Sequence, residues 1–437
     1  MSSSAAPVRA AAPTTTPSRA RHVTIAFCIL LALITYVDRV AIGQAAPFIS
    51  ADLGLSRIQM GWALAIFGYA YAIFEIPGGW MADRIGPRKV LMRIVMWWSF
   101  FTAATGWAWN ATSLIVARGL FGAGEAGAFP TMTRALTTWT PGKERERAQA
   151  LIWLATRVSA AFTPILVLWL ITTLTWRRTF EVLGVLGVVW AVFFYRWFRD
   201  DPAKHPSVNQ GELAVLPSPS EAGLALSGVP WGRVFSSPSV WLLSIQYMCL
   251  AYGWWFYINW LPSYLRDARG TSLQMGALLA GLPLLLGGVG CLVSAWILPR
   301  LARRLDSVLL ARRIVAITGF LGASASIFVF TSIPDPVKAM FVLGLAGFFN
   351  DLVMPAAWAG TMDVGGRYAG TVSAAMNTMG SIAGAFSVTL VGYLLAWTGD
   401  NWTMLFLISA SIYLVGAVCW LFLDAHTSVA QGVDGRH

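Results

Sequence analysis

Twelve apolar segments of membrane-spanning length run through this 437-residue sequence. A helix that rises about 1.5 Å per residue needs about 20 apolar residues to cross the hydrocarbon core of a bilayer. The segments lie at residues 22–46, 59–81, 89–108, 112–133, 147–171, 178–198, 239–262, 273–298, 310–332, 337–358, 367–396 and 402–423. The sequence therefore predicts an all-α integral membrane protein with twelve transmembrane helices.

Charged residues are scarce, which supports the same conclusion. They make up 12 % of the sequence, against 57 % hydrophobic residues, whereas proteins of average composition carry about 25 % charged residues. So little charge cannot cover a water-facing surface, so most of the surface must face lipid.

A polar stretch divides the twelve segments into two sets of six, a layout typical of two pseudo-symmetric six-helix bundles around a site at mid-membrane. We expect five regions: a disordered cytoplasmic tail at 1–21, an N-terminal bundle at 22–198, a cytoplasmic linker at 199–237, a C-terminal bundle at 238–424, and a cytoplasmic tail at 425–437.

Weak internal echoes favour a duplication. In the fifth segment of each half a polar residue follows an arginine by ten positions, Arg157 after Arg147 and Asn377 after Arg367. If the halves are related, Arg157 and Asn377 face one central cavity.

The formal net charge of +11 is explained by topology rather than by nucleic-acid binding. Of 31 Lys and Arg residues, 21 lie in one set of tails and loops, six in the opposite set and four inside segments. Basic loops stay in the cytoplasm, so we expect both termini there, in a multi-pass protein of the cell inner (plasma) membrane. We expect a monomer with no nucleic-acid partner.

Six charged residues lie away from the ends of the N-terminal segments. At a lipid-facing helix centre each would cost about 2.5–3.5 kcal/mol, so they must face a wet cavity or one another. Guanidinium groups suit the planar capture of carboxylate or phosphate, which favours an anionic solute. A purely structural ion-pair network is the alternative. The six are Asp38, Arg39, Glu75, Arg118, Glu125 and Arg157.

Arg118 and Glu125 are seven positions apart, which predicts one helix face and a ligand-sized gap of roughly 10 Å between them. Glycines at 119, 122, 124 and 127 allow a neighbouring helix or a ligand to approach. Gly122 to Gly127 also match a GxGxxG pattern, but without a preceding strand it does not indicate nucleotide binding.

All four histidines fall at or beyond segment ends, so a coupled proton must be bound by a carboxylate. The candidates are Asp38, Glu125 and Glu75. Tyr252 and Asn259 of the seventh segment, and Asn377 of the eleventh, are expected to line the cavity. Asp351 and Asp363 are read as surface, hinge or functional groups, without a choice among them.

No catalytic or metal site is predicted. The four cysteines lie singly in apolar stretches, which indicates neither a disulfide framework nor a metal site. With no nucleophile–base pair within the segments, we expect neither an enzyme nor a cofactor.

Several motifs resemble one family. Residues 79–89, Gly-Trp-Met-Ala-Asp-Arg-Ile-Gly-Pro-Arg-Lys, are similar to the loop 2–3 signature of the major facilitator superfamily. Residues 118–130, from Arg118 to Pro130, resemble the fourth-span signature of its anion:cation symporter family. Tyr36-Val-Asp38-Arg39, Tyr71 ahead of Pro77-Gly-Gly, and residues 252–265 and 363–377 fit the same family, over roughly 22–423.

The resemblance implies an alternating-access, proton-driven carrier of organic anions such as galactonate, glucarate or hexuronates. It implies that Arg39 and Arg118 bind the carboxylate, with Tyr36, Tyr71 and Asn377 around it. Asp38 and Glu125 would then be the protonation sites. The gating loop of Gly79, Asp83, Arg84, Gly86, Arg88 and Lys89 would latch the cytoplasmic ends of the N-terminal bundle.

Two positions depart from the family pattern. Arg157 stands near a usual glutamine, which indicates a second anionic group or an aromatic acid, and Glu75 stands where an amide is expected. We predict a proton-coupled symporter for a sugar acid or related carboxylate. The alternatives are an organophosphate/phosphate antiporter, whose second arginine in the seventh span is missing here, and a transporter-like solute sensor.

Overall fold

The protein is described by a computed structural model for residues 16–216, 231–365 and 369–423, in which the regular secondary structure is helical. For the gating-loop residues Gly79 and Asp83, and for Arg147, the structure describes the backbone only. Arg367 lies outside the described part of the chain. The tail at 425–437 and parts of the tail at 1–21 and of the linker also lie outside it.

The N-terminal bundle contains six spans. They are α1 (Ala20–Leu53), α2 (Arg57–Ile85), α3 (Pro87–Gly106), the pair α4 (Ala111–Glu125) and α5 (Ala128–Trp139), α6 (Gly142–Thr173), and α7 (Trp176–Trp197). A 3₁₀ turn (Pro202–Lys204) and the short helices α8 (Gln210–Leu213) and α9 (Trp231–Ser236) follow in the linker.

The C-terminal bundle also contains six spans. They are the pair α10 (Pro238–Asn259) and α11 (Leu261–Asp267), the pair α12 (Leu273–Ala280) and α13 (Leu282–Leu305), α14 (Val308–Thr331), α15 (Pro336–Gly365), α16 (Ala369–Thr398), and α17 (Trp402–Phe422). The predicted architecture of twelve spans in two bundles is confirmed.

Three spans that the sequence predicted as continuous are broken. The breaks fall after Glu125, at Trp260 and at Gly281. Each precedes a proline near the start of the second piece, and a proline ring clashes with the carbonyl four residues before it. The three prolines are Pro130, Pro262 and Pro283. Each pair still forms one span, as predicted for 112–133, 239–262 and 273–298, with a local interruption of its helical hydrogen bonds.

Eight described segments, with the pair α12–α13 taken as one, are long and apolar enough to cross a membrane by length and composition alone. The remaining spans are α2, α3 and the broken pairs α4–α5 and α10–α11, which contain charged residues, tryptophans or short pieces. Large apolar side chains point outward on α6, α7 and α13. Examples are Trp169, Phe193 and Leu292, which are 61 %, 62 % and 59 % exposed. Such an apolar exterior suits lipid.

The bundles meet along α2 and α16, α6 and α12–α13, and α1 and α10–α11. We call the end where α1 stops and α2 starts the far end, and the opposite end the linker end. At the far end, a Cβ on Gly43 would lie 2.1 Å from the carbonyl of Ile258, and one on Gly281 2.1 Å from that of Ala161. Only glycine allows these helices to approach so closely.

Candidate functional site

Arg39 of α1 lies between the helices of the N-terminal bundle, inside an aromatic cage. Its Nε donates to Glu125 Oε1 at 2.5 Å, and 16 % of its side chain stays exposed. The guanidinium carbon lies 4.7–5.5 Å from the ring centroids of Tyr71, Tyr36, Phe67 and Phe129. Cation–π contacts of this kind contribute about 0.5–2 kcal/mol each, so the cage fixes a cation that still reaches open space.

Arg118 lies deeper than Arg39. It is 1 % exposed, with its guanidinium carbon 4.4 Å from the Phe121 ring centroid and 5.6 Å from that of Phe67. Among the described residues, its Nε and Nη1 have no hydrogen-bond partner, nor has either carboxylate oxygen of Asp38, which is also buried. Unsatisfied polar atoms are expensive in a protein interior, so this cluster has bonding capacity that the helices leave unused.

The predicted ligand-sized gap between Arg118 and Glu125 is largely filled. A Cβ on Gly122, which lies between them on α4, would sit 2.4 Å from the backbone oxygen of Phe67 in α2. The ring centroid of Phe67 lies 5.3 Å from the guanidinium carbon of Arg39 and 5.6 Å from that of Arg118. The glycines of this stretch therefore bring helices together, as predicted, but the space between cation and acid holds a neighbouring helix.

Glu75 of α2 and Asn377 of α16 connect the two bundles. The Asn377 amide Nδ2 donates to Glu75 Oε1 at 2.9 Å, while no described group lies at good hydrogen-bond geometry to Glu75 Oε2. Asn377 Oδ1 accepts a long bond of 3.4 Å from the hydroxyl of Tyr247. The residue that stands in place of an expected amide is thus held by an amide from the other bundle.

Arg157 of α6 forms the second connection. Its Nε lies 3.1 Å from Asp351 Oδ2 of α15, and its guanidinium carbon lies 3.9 Å from the ring centroid of Trp254. Asp351 is fully buried and also accepts a hydrogen bond from Asn350 at 3.0 Å. Asp351 is therefore no surface group, while Asp363 is exposed and pairs with Arg312.

Arg39, Glu75, Asn377, Tyr247 and Arg157 lie near one another where the bundles meet, a region that we call the central chamber. Arg39, Asn377, Tyr247 and Arg157 stay partly exposed there. Three rings form an aromatic wall: Phe129 stacks on Trp153 at 5.5 Å, and Trp153 lies 6.1 Å from Trp358. Phe129 also contacts Arg39, and Trp153 lies one helical turn before Arg157 on α6, so aromatic rings lie near both cations.

Two predicted cavity residues lie elsewhere in the C-terminal bundle. Tyr252 is 5 % exposed, and its hydroxyl has no hydrogen-bond partner in the described part of the chain. Asn259 is 4 % exposed and its amide donates to the backbone oxygen of Trp255 on its own helix. Neither makes a described polar contact with the charged residues of the chamber.

The described part of the gating loop binds within the N-terminal bundle. The backbone N–H of Arg88 donates to Asp200 at 2.8 Å, and its guanidinium donates to the backbone oxygen of Tyr195 at 2.7 Å and 3.0 Å. Gly86 has a φ of 91°, which favours glycine, and packs against Asp200. Arg84 and Lys89 are exposed.

The aromatic cage and the role of Asp351 escaped the sequence reasoning. Phe67, Phe129 and Trp153 are ordinary residues of apolar helices, and nothing local marks them as contacts of a cation. Asp351 was visible as an acid inside an apolar span, but its partner lies 194 positions away.

With this geometry in place, the comparisons with known proteins decide the family. The sequence model described as Major Facilitator Superfamily matches residues 28–388. The chain belongs to the Major Facilitator Superfamily. Members and relatives of this family are transporters, so the chain is a multi-pass membrane transporter rather than an enzyme.

Individual relatives of this superfamily member cover nearly its whole length. The "Probable sulfoacetate transporter SauU" of Cupriavidus necator is 37 % identical over 93 % of this chain and 94 % of that protein. The "D-galactonate transporter" of Escherichia coli O6:H1 is 28 % identical over 93 % of this chain and 96 % of that protein. A solved bacterial homologue of the human lysosomal transporter Spinster, 17 % identical, matches with a TM-score of 0.76 over 93 % of this chain and 97 % of that structure. The last match bears on the fold alone.

Proposed function

We propose that this chain is a proton-coupled symporter that imports a small organic anion, a sugar acid or related carboxylate, by alternating access. The ion pair between Arg39 and Glu125 carries the proposal, because it joins an anion-binding group to a titratable acid in one contact. Relatives named for the transport of sulfoacetate and D-galactonate, both carboxylates, support the substrate class.

Coupling follows from competition for Arg39. A substrate carboxylate that reaches the exposed part of Arg39 displaces Glu125, which is fully buried. A buried carboxylate without its cation is costly, so Glu125 takes up a proton when the anion binds. When the proton leaves on the other side, Glu125 reclaims Arg39 and releases the anion.

Arg118 and Asp38 act behind this exchange. Arg118 is too buried to be the first contact of a substrate, so it reaches the carboxylate only after Glu125 has moved away. Asp38, next to Arg39 in the chain and without a described hydrogen bond on its carboxylate, is the second protonation site. Tyr36 and Tyr71 of the cage and Asn377 across the chamber orient the substrate.

The residues that line the C-terminal side complete this proposal. Arg157 sets specificity and Glu75 is a third candidate for the proton, whereas Tyr252 and Asn259 lie away from the chamber on α10 and are given no direct contact with the substrate. The gating loop latches the linker end through Arg88 and its partners on α7. By the positive-inside rule, the linker end and both termini face the cytoplasm of a bacterial inner membrane.

We propose the same boundaries as the sequence predicts, with a tail at 1–21, bundles at 22–198 and 238–424, a linker at 199–237 and a tail at 425–437, in a monomer. Charge balance sets the response to voltage. A monoanion moving with one proton carries no net charge, and each further proton adds about 2.3 kcal/mol of driving force per 100 mV.

Transport by purified protein in proteoliposomes tests the proposal with two assays, uptake of labelled D-galactonate or sulfoacetate driven by a pH gradient, and counterflow without a gradient. Glu125→Gln imitates the protonated acid, so counterflow should survive while pH-driven accumulation is lost. Asp38→Asn should show the same split. Glu181 is a half-exposed far-end residue that pairs with Arg178 and accepts a hydrogen bond from Trp107, so Glu181→Gln is the matched control and should behave as wild type.

Intact pH-driven accumulation in Glu125→Gln and Asp38→Asn would remove both from the proton path and leave Glu75. Exchange only against phosphate would indicate an antiporter, and saturable binding without any flux would indicate a sensor. Either result would overturn symport.

A further inference from the structure

Arg157 differs from Arg39 in the location of its acidic partner. Arg39 pairs with an acid of its own bundle, whereas Arg157 on α6 pairs with Asp351 on α15 of the opposite bundle. The Asp351 side chain is 1 % exposed and the Arg157 side chain 12 % exposed. The carboxylate therefore approaches Arg157 from the protein interior, and the chamber side of the cation remains open to an incoming anion.

The contact between the two side chains is incomplete. Arg157 Nε lies 3.1 Å from Asp351 Oδ2, and Nη2 lies 3.5 Å from Oδ1. Charge-assisted bonds of a paired arginine fork usually run about 2.7–2.9 Å. Asp351 Oδ1 is already shared with the amide of Asn350. A free anionic group could make a shorter, two-pronged contact that the tethered carboxylate does not make.

The surroundings hold Arg157 ready for such a group. Trp254 lies 3.9 Å below the guanidinium carbon and fixes its plane. One helical turn before Arg157 on α6, Trp153 stacks on Phe129, which belongs to the cage of Arg39. Two separated cations along an apolar wall suit a short molecule with an anionic group at each end.

We propose that Arg157 is the subsite for the second anionic group of a dianionic substrate, and that Asp351 occupies this subsite as an internal stand-in until the dianion displaces it. The inference rests on the proposed function, in which the first carboxylate binds Arg39. It extends that function to a substrate class: short carboxylates with a terminal sulfonate or a second carboxylate. Sulfoacetate, the compound in the name of one relative, has this chemistry.

Displacement leaves Asp351 buried without its cation. The other titratable groups that interact with it are Cys291 of α13, Tyr257 of α10 and, through Asn350, Tyr413 of α17. These groups are not cations, so the released Asp351 takes up a proton, since an unpaired buried carboxylate is costly. Binding of a dianion thereby adds one protonation event that a monoanion does not cause.

Affinities of two ligands of similar length test the proposal by calorimetry on the purified full chain: sulfoacetate, a dianion, and propionate, a monoanion. Arg157→Gln should weaken sulfoacetate binding at least about ten-fold, corresponding to 1.4 kcal/mol, and change propionate binding little. Asp351→Asn should strengthen sulfoacetate binding several-fold, because the competitor loses its charge, with propionate unaffected. Asp363→Asn on the same helix is the matched control and should leave both affinities unchanged.

Equal losses for both ligands in Arg157→Gln would make the pair structural and overturn the proposal, as would unchanged or weaker sulfoacetate binding in Asp351→Asn. Should Asp351→Asn not fold, infrared difference spectra of the wild type decide. Sulfoacetate should add a protonated-carboxyl band that propionate does not, and identical spectra would contradict the inference. If the wild type bound neither sulfoacetate nor propionate, that result would count against the proposed function itself.

Discussion

Two connections cross the central chamber, and they differ in chemistry. On one side Arg157 and Asp351 join α6 to α15 as a pair of opposite charges. On the other side Asn377 donates one hydrogen bond to Glu75 and joins α16 to α2. A charge pair in the interior is strongly interdependent, because either partner alone is a buried charge. An amide and a carboxylate are less so, since the amide can find other partners.

This difference assigns distinct tasks to the two sides. The charged connection opens only when another anion replaces Asp351, so it suits a step controlled by substrate. The amide connection can break and re-form at lower cost, so it suits the movement of the bundles themselves. Alternating access requires both to separate during each cycle, since both join elements of opposite bundles.

The largest effect is expected from removing one member of the charged connection. Asp351→Ala should lower the free energy of unfolding by about 3–5 kcal/mol, because Arg157 is left buried and unpaired. The combined variant Arg157→Gln with Asp351→Asn should recover most of the loss. Unfolding titrations in detergent measure both, and a double variant no better than the single one would contradict the interdependence of the pair.

A smaller effect is expected on the amide side. Glu75→Gln keeps an acceptor oxygen for Asn377 Nδ2, so the free energy of unfolding should fall by only about 0.5–1.5 kcal/mol. The same titration provides the measurement. A loss as large as that of Asp351→Ala would show that the charge of Glu75, rather than its hydrogen bond, holds α2 to α16.

The smallest effect is expected at the far end, where Arg57 pairs with Asp267 at 2.7 Å and Asp400 at 3.2 Å between the bundles. These side chains are 24–50 % exposed, and exposed pairs contribute about 0.2–1 kcal/mol each. Arg57→Ala should therefore barely change the free energy of unfolding. It should, however, increase the rate at which a thiol reagent labels a cysteine placed at Gly61, which packs on Gly392. Unchanged labelling would show that helix packing alone closes this end.

The sequence was sufficient for the spans and the family, and insufficient for the connections. Apolar runs and the motif around Arg118 are local signals, readable residue by residue. The partners of Arg157 and Glu75 lie 194 and 302 positions away in the chain, in the other bundle. Such pairings depend on how two helix bundles pack, which a hydropathy pattern does not encode. The inward orientation of Arg39 was predictable from its cost in lipid, but its aromatic cage was not.

The most direct test of the account is the number of protons taken up when the anion binds. Purified wild type in weakly buffered detergent solution, monitored with a pH indicator, should take up protons on addition of D-galactonate, a monoanion, because the anion displaces Glu125 from Arg39. Glu125→Gln should bind the anion with much reduced uptake, and the control Glu181→Gln should match wild type. Undiminished proton uptake by a Glu125→Gln variant that still binds the anion would contradict the exchange at Arg39.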